Sequence, residues 1–363
     1  MAPSAHMAKL KAGVLTFHRC INYGSYWQAK CLVEGLRARG LDAVLLDHDS
    51  RRISLAEWKC GFRPTLPTPV PRSDRSVYRD KMLRFFRCFE RLPLSPRFEI
   101  DDPDKSQRYD VVVVGSDEVW NLSHPWYGRY PIFYGEGINA GRIVSYAASF
   151  GNYPASWGLE RSWTERLGRF AAISVRDENS RTIVSNSLGF QPDLVLDPCL
   201  QFDLTPESRD PKYAGTAYAA VYGHNFSARF VENIRQWAKR RDLPLVSIGY
   251  RNEWADEQWI NADPHDFAHF IAGAEAVATN FFHGCVFALR NQKPFVCESS
   301  GYRSNKLDGL MNKIGGQRHL VREDTTQDAF AEVLDQPLEG SISVEVATLR
   351  GHSDRYLTSA LSA

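Results

Sequence analysis

The sequence lacks any apolar run that could cross a membrane. Its apolar runs, such as residues 111–114, are far shorter than the roughly 20 residues that a bilayer requires. The N-terminus has no apolar core of a secretory signal. The seven cysteines contain no CxxC pair, which argues against a disulfide framework or a zinc site. We therefore expect a cytoplasmic protein with reduced thiols.

An excess of one charge is also missing. Lys and Arg number 44 and Asp and Glu number 43, so the formal charge is +1. A dedicated nucleic-acid binder carries a clear basic excess. The sequence therefore predicts no nucleic-acid partner.

The sequence does contain alternating apolar strands and amphipathic helices. Its 363 residues, 43% of them hydrophobic, exceed one typical α/β domain and indicate two domains. A strand at 13–17, a helix and a strand at 43–46 form a βαβ opening, which is typical of a parallel sheet. The helix is marked by apolar residues at helical spacing, namely Ala29, Leu32, Val33 and Leu36. Further strands are predicted at 111–114, 143–147, 171–175 and 194–196.

The C-terminal half predicts a second doubly wound sheet. Its predicted strands are 218–222, 245–248, 276–279 and 294–297. Its predicted helices are 226–239, 265–272 and 284–291. We divide the chain into a first domain at 8–205, a second at 206–320 and a helical tail at 321–363. The tail is predicted to hold an amphipathic helix over 344–361.

Residues 51–99 form a basic insertion in the first domain. They hold 12 Lys or Arg and 5 Asp or Glu, a net charge of +7. Several prolines precede a helix-like stretch at 77–91. The insertion is either a solvated surface helix or a contact for an anionic ligand or lipid surface.

Candidate site residues follow predicted strands, because ligands of open α/β sheets bind at the carboxyl ends of the strands. His283 and Gly284 open a helix, where backbone N–H groups favour an anion, although a capping role is equally open. Arg176 offers a guanidinium fork to a carboxylate or phosphate, or a salt bridge to a neighbouring acid. Asp117 is either a general base or a helix cap.

Other candidates carry weaker signals. The turn at 22–25 can cradle a phosphate but matches neither GxGxxG nor a Walker loop. His265 and His269 are four residues apart, yet no HExxH glutamate or third ligand accompanies them, so we predict no metal site. Tryptophans such as Trp120 are either core or sugar-stacking residues.

Several of these segments together resemble the polysaccharide pyruvyl transferase family. They run in the family's order over about residues 13–315. The matching stretches are 13–18 with Asn22-Tyr23-Gly24, 114–121, 145–151, 173–177, 195–198, 279–284 and 293–296.

This resemblance implies a fold and a reaction. The fold is α/β, with two Rossmann-like domains facing a central cleft as in GT-B glycosyltransferases and a C-terminal helix that returns to the first domain. The reaction uses phosphoenolpyruvate, without a further cofactor, to place a pyruvate ketal on two hydroxyls of a sugar in a cell-surface polysaccharide or its precursor. The donor is anionic, so we expect an electropositive cleft.

The resemblance also implies roles for the donor-binding residues. Arg176 would hold the carboxylate or phosphate of phosphoenolpyruvate, and His283 with the Gly284 N–H would hold the phosphate or supply a proton. Arg303 and Lys306 are secondary choices, because the loop after the last strand can close over the donor.

Acceptor binding is assigned to a second group of residues. Asp117 would activate a sugar hydroxyl, while Asn22, Tyr23 and Trp120 would contact the acceptor. One departure concerns Phe281, since some pyruvyl transferases carry an arginine at this position, two residues before the motif histidine.

Two other functions stay open at this point. A GT-B-type nucleotide-sugar glycosyltransferase shares the architecture, and an inactive relative would only bind glycan. The basic insertion at 51–99 suggests a lipid-linked oligosaccharide as acceptor and peripheral contact with the inner face of a membrane.

Overall fold

A computed structural model of the chain describes residues 9–64, 66, 69–103, 107–207, 212–299 and 304–362. The first half of the chain forms a four-stranded parallel sheet and two short two-stranded sheets. Its strands are β1 (Lys11–Leu15), β2 (Asp42–Leu45), β3 (His48–Asp49), β4 (Phe98–Glu99), β5 (Tyr109–Val114), β6 (Ala140–Ser145), β7 (Ser174–Val175) and β8 (Asp193–Leu194). Its helices are α1 (Tyr23–Ala38), α2 (Arg51–Phe62), α3 (Arg75–Phe89), α4 (Arg161–Leu167), α5 (Glu178–Leu188) and α6 (Pro198–Gln201). The two short sheets are β3-β4 and β7-β8, and the main sheet has the order β2-β1-β5-β6 with parallel pairing throughout.

The centre of this sheet determines where side chains converge. In β5, residues 111–114 are buried on both faces, as the continuous apolar run predicts. Bridges beyond the strand ends pair Asp117 with Ala148 and Ala148 with Val175. The segments that follow β5, β6 and β7 therefore lie side by side at the carboxyl ends of the strands.

The basic insertion contains two helices that pack on each other, α2 and α3. The sequence predicted α3, at 77–91, but not α2. The buried Lys81 ammonium donates to the Gly249 carbonyl of the second domain at 2.9 Å. Arg251 pairs with Asp74, with Nη2 2.8 Å from Oδ1. Part of the basic insertion therefore holds the two domains together.

The second half of the chain forms the second parallel sheet. Its elements in order are β9 (Ala219–Tyr222), α7 (Ala228–Arg240), β10 (Leu245–Ile248), β11 (Glu257–Trp259), α8 (Pro264–Gly273), β12 (Ala276–Thr279), α9 (Phe282–Arg290), β13 (Phe295–Glu298), α10 (Ser304–Ile314), β14 (Leu320–Val321), α11 (Gln327–Asp335) and α12 (Gly340–Ser362). The strand order is β11-β10-β9-β12-β13-β14. The predicted alternation of strands and helices is confirmed, but the short edge strands β11 and β14 and the helix α10 were not predicted.

The two C-terminal helices go to different domains. The Trp237 indole of α7 donates to Asp335 Oδ1 at the end of α11, at 2.9 Å, so α11 stays with the second sheet. In α12, the Tyr356 hydroxyl donates to the Ser145 carbonyl at 2.7 Å. The return of the last helix to the first domain is confirmed, whereas the stretch predicted as one tail at 321–363 is divided between the domains. No helix in the described part of the chain is both long and apolar enough to span a membrane.

Candidate active site

A cavity of about 320 Å³ lies between the two domains, where the carboxyl ends of their strands face each other. The first domain contributes Asn22, Asp117 and Arg176 to its wall. The second domain contributes His283 and Lys306. A larger hollow of about 850 Å³ runs along α7 but contains none of the predicted site residues. The interdomain cavity is therefore the candidate active site.

Arg176 and His283 meet at one carboxylate in this cavity. Arg176 Nη1 donates to Asp197 Oδ2 at 2.9 Å, and His283 Nε2 lies 3.5 Å from the same oxygen. The side chains of Arg176 and Asp197 are 4% and 1% exposed, so this pair is desolvated. The two predicted donor-binding residues are thus brought together by an aspartate to which the sequence analysis gave no role.

The charges around Asp197 stabilise one another. Burial alone would raise the pKa of Asp197, but His283 and Arg176 outweigh this effect and hold it well below its ordinary value. Burial lowers the pKa of Arg176, and the carboxylates of Asp197 and Asp117 raise it further than burial lowers it. The guanidinium of Arg176 and the Asp197 carboxylate are therefore both ionised.

Two buried nitrogens in this group have no hydrogen-bond partner among the described residues. They are Nε of Arg176 and Nε2 of His283. A buried polar atom without a partner costs about 1–3 kcal/mol, so a ligand that accepts hydrogen bonds from these two nitrogens would recover this cost. Both atoms belong to the residues predicted to hold an anion.

Asp117 lies beside Arg176 at the end of β5. Its backbone is left-handed, with φ of 71°. Its Oδ2 accepts the Ser25 hydroxyl at 2.8 Å, and its Oδ1 accepts the Glu118 amide at 2.9 Å and lies 3.7 Å from Arg176 Nη2. The carboxylate is 9% exposed and lines the cavity, which is the position required of a base for a bound hydroxyl.

The neighbouring Glu118 forms an ion pair with Lys306 of α10. Burial would raise the pKa of Glu118, but Lys306 and the Asn121 amide lower it to about 2. Lys306 therefore lies in the cavity as predicted. Arg303, the other secondary candidate, lies outside the described residues.

Among the described residues, the lining of the cavity is not electropositive, contrary to expectation. The described cations that line the cavity are Arg176 and Lys306, and the described carboxyl groups are Glu57, Asp117 and Glu118. Each of these two cations is paired with a carboxylate, because burying an unpaired charge would cost too much free energy. The charges are close to balanced.

Gly284 does not offer its N–H to a ligand. This amide donates to the Phe281 carbonyl at 3.0 Å within the first turn of α9. A Cβ at position 284 would lie 2.0 Å from Thr279 Oγ1, so glycine allows the helix to start close to the end of β12. The donor-binding role predicted for Gly284 is corrected to a packing role.

Two predicted acceptor contacts are also corrected. Trp120 has no exposed surface, and its indole donates to the Phe133 carbonyl at 2.8 Å. Tyr23 is 1% exposed, stacks on Phe267 at 4.6 Å and donates to the Ala262 carbonyl. Neither side chain can reach a sugar, because one belongs to the first-domain core and the other to the domain interface. Asn22, by contrast, is exposed, lines the cavity and caps α1 by accepting the Ser25 amide at 3.2 Å.

Phe281 lies in an aromatic group on the second-domain wall. Its ring centroid is 4.9 Å from that of Tyr222 and 5.6 Å from that of Tyr250. Arg176 lies over the ring of the next residue, Phe282, at 4.6 Å. The wall that lacks an arginine at position 281 is therefore apolar.

Asp197, Cys199 and His283 are close enough together to hold a metal ion. The Cys199 thiol has a pKa raised well above its ordinary value by burial, so it is not the thiolate that metals prefer. Arg176 already neutralises Asp197 at 2.9 Å. A cation would be repelled there, and these residues fit a metal ion poorly.

Glu57 and His124 are among the cavity residues that no sequence motif indicated. Nδ1 of His124 accepts the backbone amides of Trp126 and Tyr127 at 3.3 and 3.1 Å, and burial lowers its pKa. The neutral ring therefore carries its proton on Nε2. His124 follows a predicted strand by ten residues and Glu57 lies in the insertion, so no spacing rule pointed to either.

The sequence is similar to one known protein family. A sequence profile described as polysaccharide pyruvyl transferase matches residues 22–302. No curated protein is similar enough in sequence to count as a match.

The fold is similar to solved structures at low sequence identity. The Listeria monocytogenes protein assigned as a UDP-N-acetylglucosamine 2-epimerase has a TM-score of 0.50 and 11% identity, covering 97% of this chain and 95% of its own. The UDP-GlcNAc 2-epimerase of Neisseria meningitidis bound to UDP-GlcNAc has a TM-score of 0.47 and 9% identity, with coverage of 98% and 100%. The first likeness supports the two-domain α/β fold alone. The profile spans well over half of the sequence, and the chain belongs to the polysaccharide pyruvyl transferase family.

Proposed function

We propose that this protein transfers pyruvate from phosphoenolpyruvate to two hydroxyls of a sugar, forming a ketal on a cell-surface polysaccharide or its precursor. The observation that carries the proposal is the pair of unpartnered buried nitrogens on Arg176 and His283, in a cavity between the domains. A donor with a carboxylate and a phosphate can satisfy both. The cavity volume of about 320 Å³ suits a small donor together with the reacting part of a sugar.

The cations and the helix start provide the donor contacts. Arg176 presents Nε beside a guanidinium that is already fixed by Asp197, which favours a planar carboxylate. His283 lies in the first turn of α9, where the helix dipole favours the phosphate. Lys306 can move from Glu118 to the phosphate, because both lie on the cavity wall.

The reaction begins with protonation of the methylene carbon of phosphoenolpyruvate. The resulting oxocarbenium ion is stabilised by the nearby carboxylates, and a sugar hydroxyl attacks it after giving its proton to Asp117. Phosphate leaves, and the second hydroxyl closes the ring. Asn22, at the exposed end of the cavity, contacts the acceptor.

The insertion fits a lipid-linked acceptor and peripheral contact with a membrane. Leu55 and Trp58 of α2 are 43% and 48% exposed and share a helix face with Arg51 and Lys59. Leu83 of α3 is 43% exposed. Exposed Trp and Leu next to Arg and Lys are typical of helices that lie on anionic lipid surfaces.

Vesicle flotation tests the membrane contact. The protein is expected to float with vesicles that contain anionic phosphatidylglycerol and not with neutral phosphatidylcholine vesicles. Trp58→Ser lowers the floated fraction, whereas Trp157→Ser, at a 66% exposed tryptophan outside the insertion, does not. Equal losses in both variants would contradict the proposed surface.

Thermal unfolding with ligands tests the proposed donor. Phosphoenolpyruvate at 100 times its Kd stabilises the folded state by about 2.7 kcal/mol and raises Tm by several degrees. Arg176→Lys keeps the charge but loses the guanidinium fork, so the rise is expected to shrink. Arg181→Lys, on the adjacent helix α5, is the matched control.

Nucleoside diphosphates and turnover complete this test. A rise in Tm with UDP but not with phosphoenolpyruvate would support nucleotide-sugar transfer instead. Turnover is followed as inorganic phosphate released from phosphoenolpyruvate in the presence of a lipid-linked glycan fraction, with the pyruvate mass increment on the glycan. His283→Ala and Arg176→Ala variants that both keep the wild-type rate would overturn the assignment.

A further inference from the structure

Glu57 is a buried acid in the candidate active site that the proposed mechanism has not yet used. It lies on α2 in the basic insertion, is 8% exposed and lines the same cavity as Arg176 and His283. It also borders a second cavity of about 620 Å³ between α2 and α3. The insertion thus places a carboxyl group on the cavity wall that neither Rossmann-like sheet provides.

The groups next to Glu57 are polar but neutral. Glu57 Oε2 accepts the Ile21 amide at 3.3 Å. The thiols of Cys20 and Cys60 and the phenol of Tyr127 also face it, and burial raises the pKa of each of these three groups. All three are therefore uncharged at neutral pH.

The charged groups of the cavity do not neutralise Glu57. Arg176 is paired with Asp197, and Lys306 is paired with Glu118. His124, on the neighbouring loop, has its pKa lowered by burial and is neutral. Because no cation among the described residues pairs with it, Glu57 is the carboxyl group of the cavity that most readily keeps a proton.

The consequence is a protonated acid near neutral pH. Burial raises the pKa of Glu57 to about 7, and the hydrogen bonds from Cys20 and Ile21 only partly oppose it. About half of the molecules carry the proton at pH 7. A bound phosphoenolpyruvate, being strongly anionic, would raise that fraction further. Glutamates tuned to this range are efficient general acids.

We infer that Glu57 donates its proton to the methylene carbon of phosphoenolpyruvate, an inference that rests on the function proposed above. The new C–H bond forms while the carbon–carbon double bond breaks, which leaves a methyl group and an oxocarbenium ion. The first sugar hydroxyl attacks that ion and gives its proton to Asp117. Phosphate leaves with its bridging oxygen and takes the proton from Asp117. The second hydroxyl closes the ketal and returns a proton to Glu57.

This assignment separates the roles of Glu57 and His283. Nδ1 of His283 packs against Gly24, where an added Cβ would lie only 2.0 Å away, and Nε2 lies beside the Asp197 carboxylate. The imidazole is therefore fixed next to Arg176 and suited to hold the phosphate. Glu57 forms no ion pair with any residue that the structure describes, and it supplies the proton.

The test uses Glu57→Gln, Glu57→Asp and, as control, Glu90→Gln. The glutamine amide oxygen still accepts the Ile21 N–H, so the fold is kept and a melting curve checks this. The control changes another insertion glutamate, which is exposed and borders only the second cavity.

Calorimetric binding of phosphoenolpyruvate gives the first readout. Titrations at pH 7.5 in two buffers of different ionisation enthalpy measure proton uptake on binding. The number of protons taken up per phosphoenolpyruvate bound is expected to be larger in the wild type than in Glu57→Gln, by more than about half a proton. Between pH 6 and pH 8, the ratio of wild-type Kd to Glu57→Gln Kd is expected to rise about tenfold, because ionised Glu57 repels the donor. Glu90→Gln is expected to follow the wild type, whereas Glu57→Asp keeps a carboxyl group that titrates and therefore only part of the proton uptake.

Turnover gives the second readout. Glu57→Gln is expected to bind phosphoenolpyruvate yet release phosphate about a hundredfold or more slowly with the lipid-linked glycan fraction. In the wild type, kcat is expected to fall as the pH rises through about 7, and this fall is expected to be absent from Glu57→Gln. Equal proton uptake, a constant Kd ratio or wild-type turnover would overturn the role of Glu57 and leave the proposed function intact. A wild type that binds no phosphoenolpyruvate would overturn both.

Discussion

Replacing Arg176 by Met should destabilise the protein strongly, because it leaves the buried carboxylate of Asp197 without the guanidinium that donates to it. The Arg176 and Asp197 side chains are 4% and 1% exposed and 2.9 Å apart, so almost no solvent screens them. Asp117, 3.7 Å from the same guanidinium, loses a neighbour as well. Removing one partner of such a pair typically costs about 3–5 kcal/mol. We expect the free energy of unfolding to fall by about this amount at pH 7.

The decrease in the free energy of unfolding caused by Arg176→Met should depend on pH. In the wild type the pKa of Asp197 is held well below its unfolded value, so this carboxylate stabilises the fold above the unfolded pKa and loses that effect as the pH falls. Without Arg176, less opposes the effect of burial, so the pKa of Asp197 rises, and protonation in mild acid removes the buried negative charge. The difference between Arg176→Met and wild type is therefore larger at pH 7 than at pH 4.5.

Urea unfolding, followed by tryptophan fluorescence, measures both effects. The double variant Arg176→Met/Asp197→Asn removes the unpaired charge and should be more stable than Arg176→Met alone. A single variant with the wild-type urea midpoint, or a double variant no more stable than the single, would refute this account of the buried pair.

Two further variants test the packing of the site and of the domain interface. Gly24→Ala places a Cβ 2.0 Å from Nδ1 of His283, so it should weaken phosphoenolpyruvate binding about tenfold or more by calorimetry, whereas Gly309→Ala, with no atom within 4 Å, should leave Kd unchanged. Lys81 has its pKa lowered to about 7 by burial, so above that pH the unfolded chain binds a proton that the folded chain does not. The free energy of unfolding should therefore rise from pH 7 to 9 in the wild type but stay flat in Lys81→Met, as urea unfolding at both pH values would show.

The residues found from sequence follow strands. Arg176 and His283 each come just after a buried strand, and the carboxyl ends of the strands of both sheets face one cleft. Topology therefore places these side chains together without any knowledge of their contacts. The same rule located Asp117 correctly.

The errors and omissions have other physical causes. Trp120 and Tyr23 lie within the resembling segments, but sequence does not show which face of a segment points inward, and both point into packed regions. Gly284 was misread because its N–H is used inside the first helical turn. Glu57 could not be predicted as a cavity residue from the sequence. It lies on α2 in the insertion, and the position of α2 at the cavity depends on tertiary packing rather than on strand order.

The basic insertion makes the contact between the two domains sensitive to salt concentration. Arg84 Nη1 of α3 is 2.9 Å from Asp266 Oδ2 of the second domain, and Arg251 reaches back to Asp74; both arginines are partly exposed. If the two domains separate to admit a glycan, these two ion pairs must break. Added salt screens exposed ion pairs and so makes this easier. Higher ionic strength should therefore ease the separation of the domains and speed the exchange of bulky acceptors, whereas the buried ion pair of Arg176 and Asp197 lies within the first domain and is hardly screened.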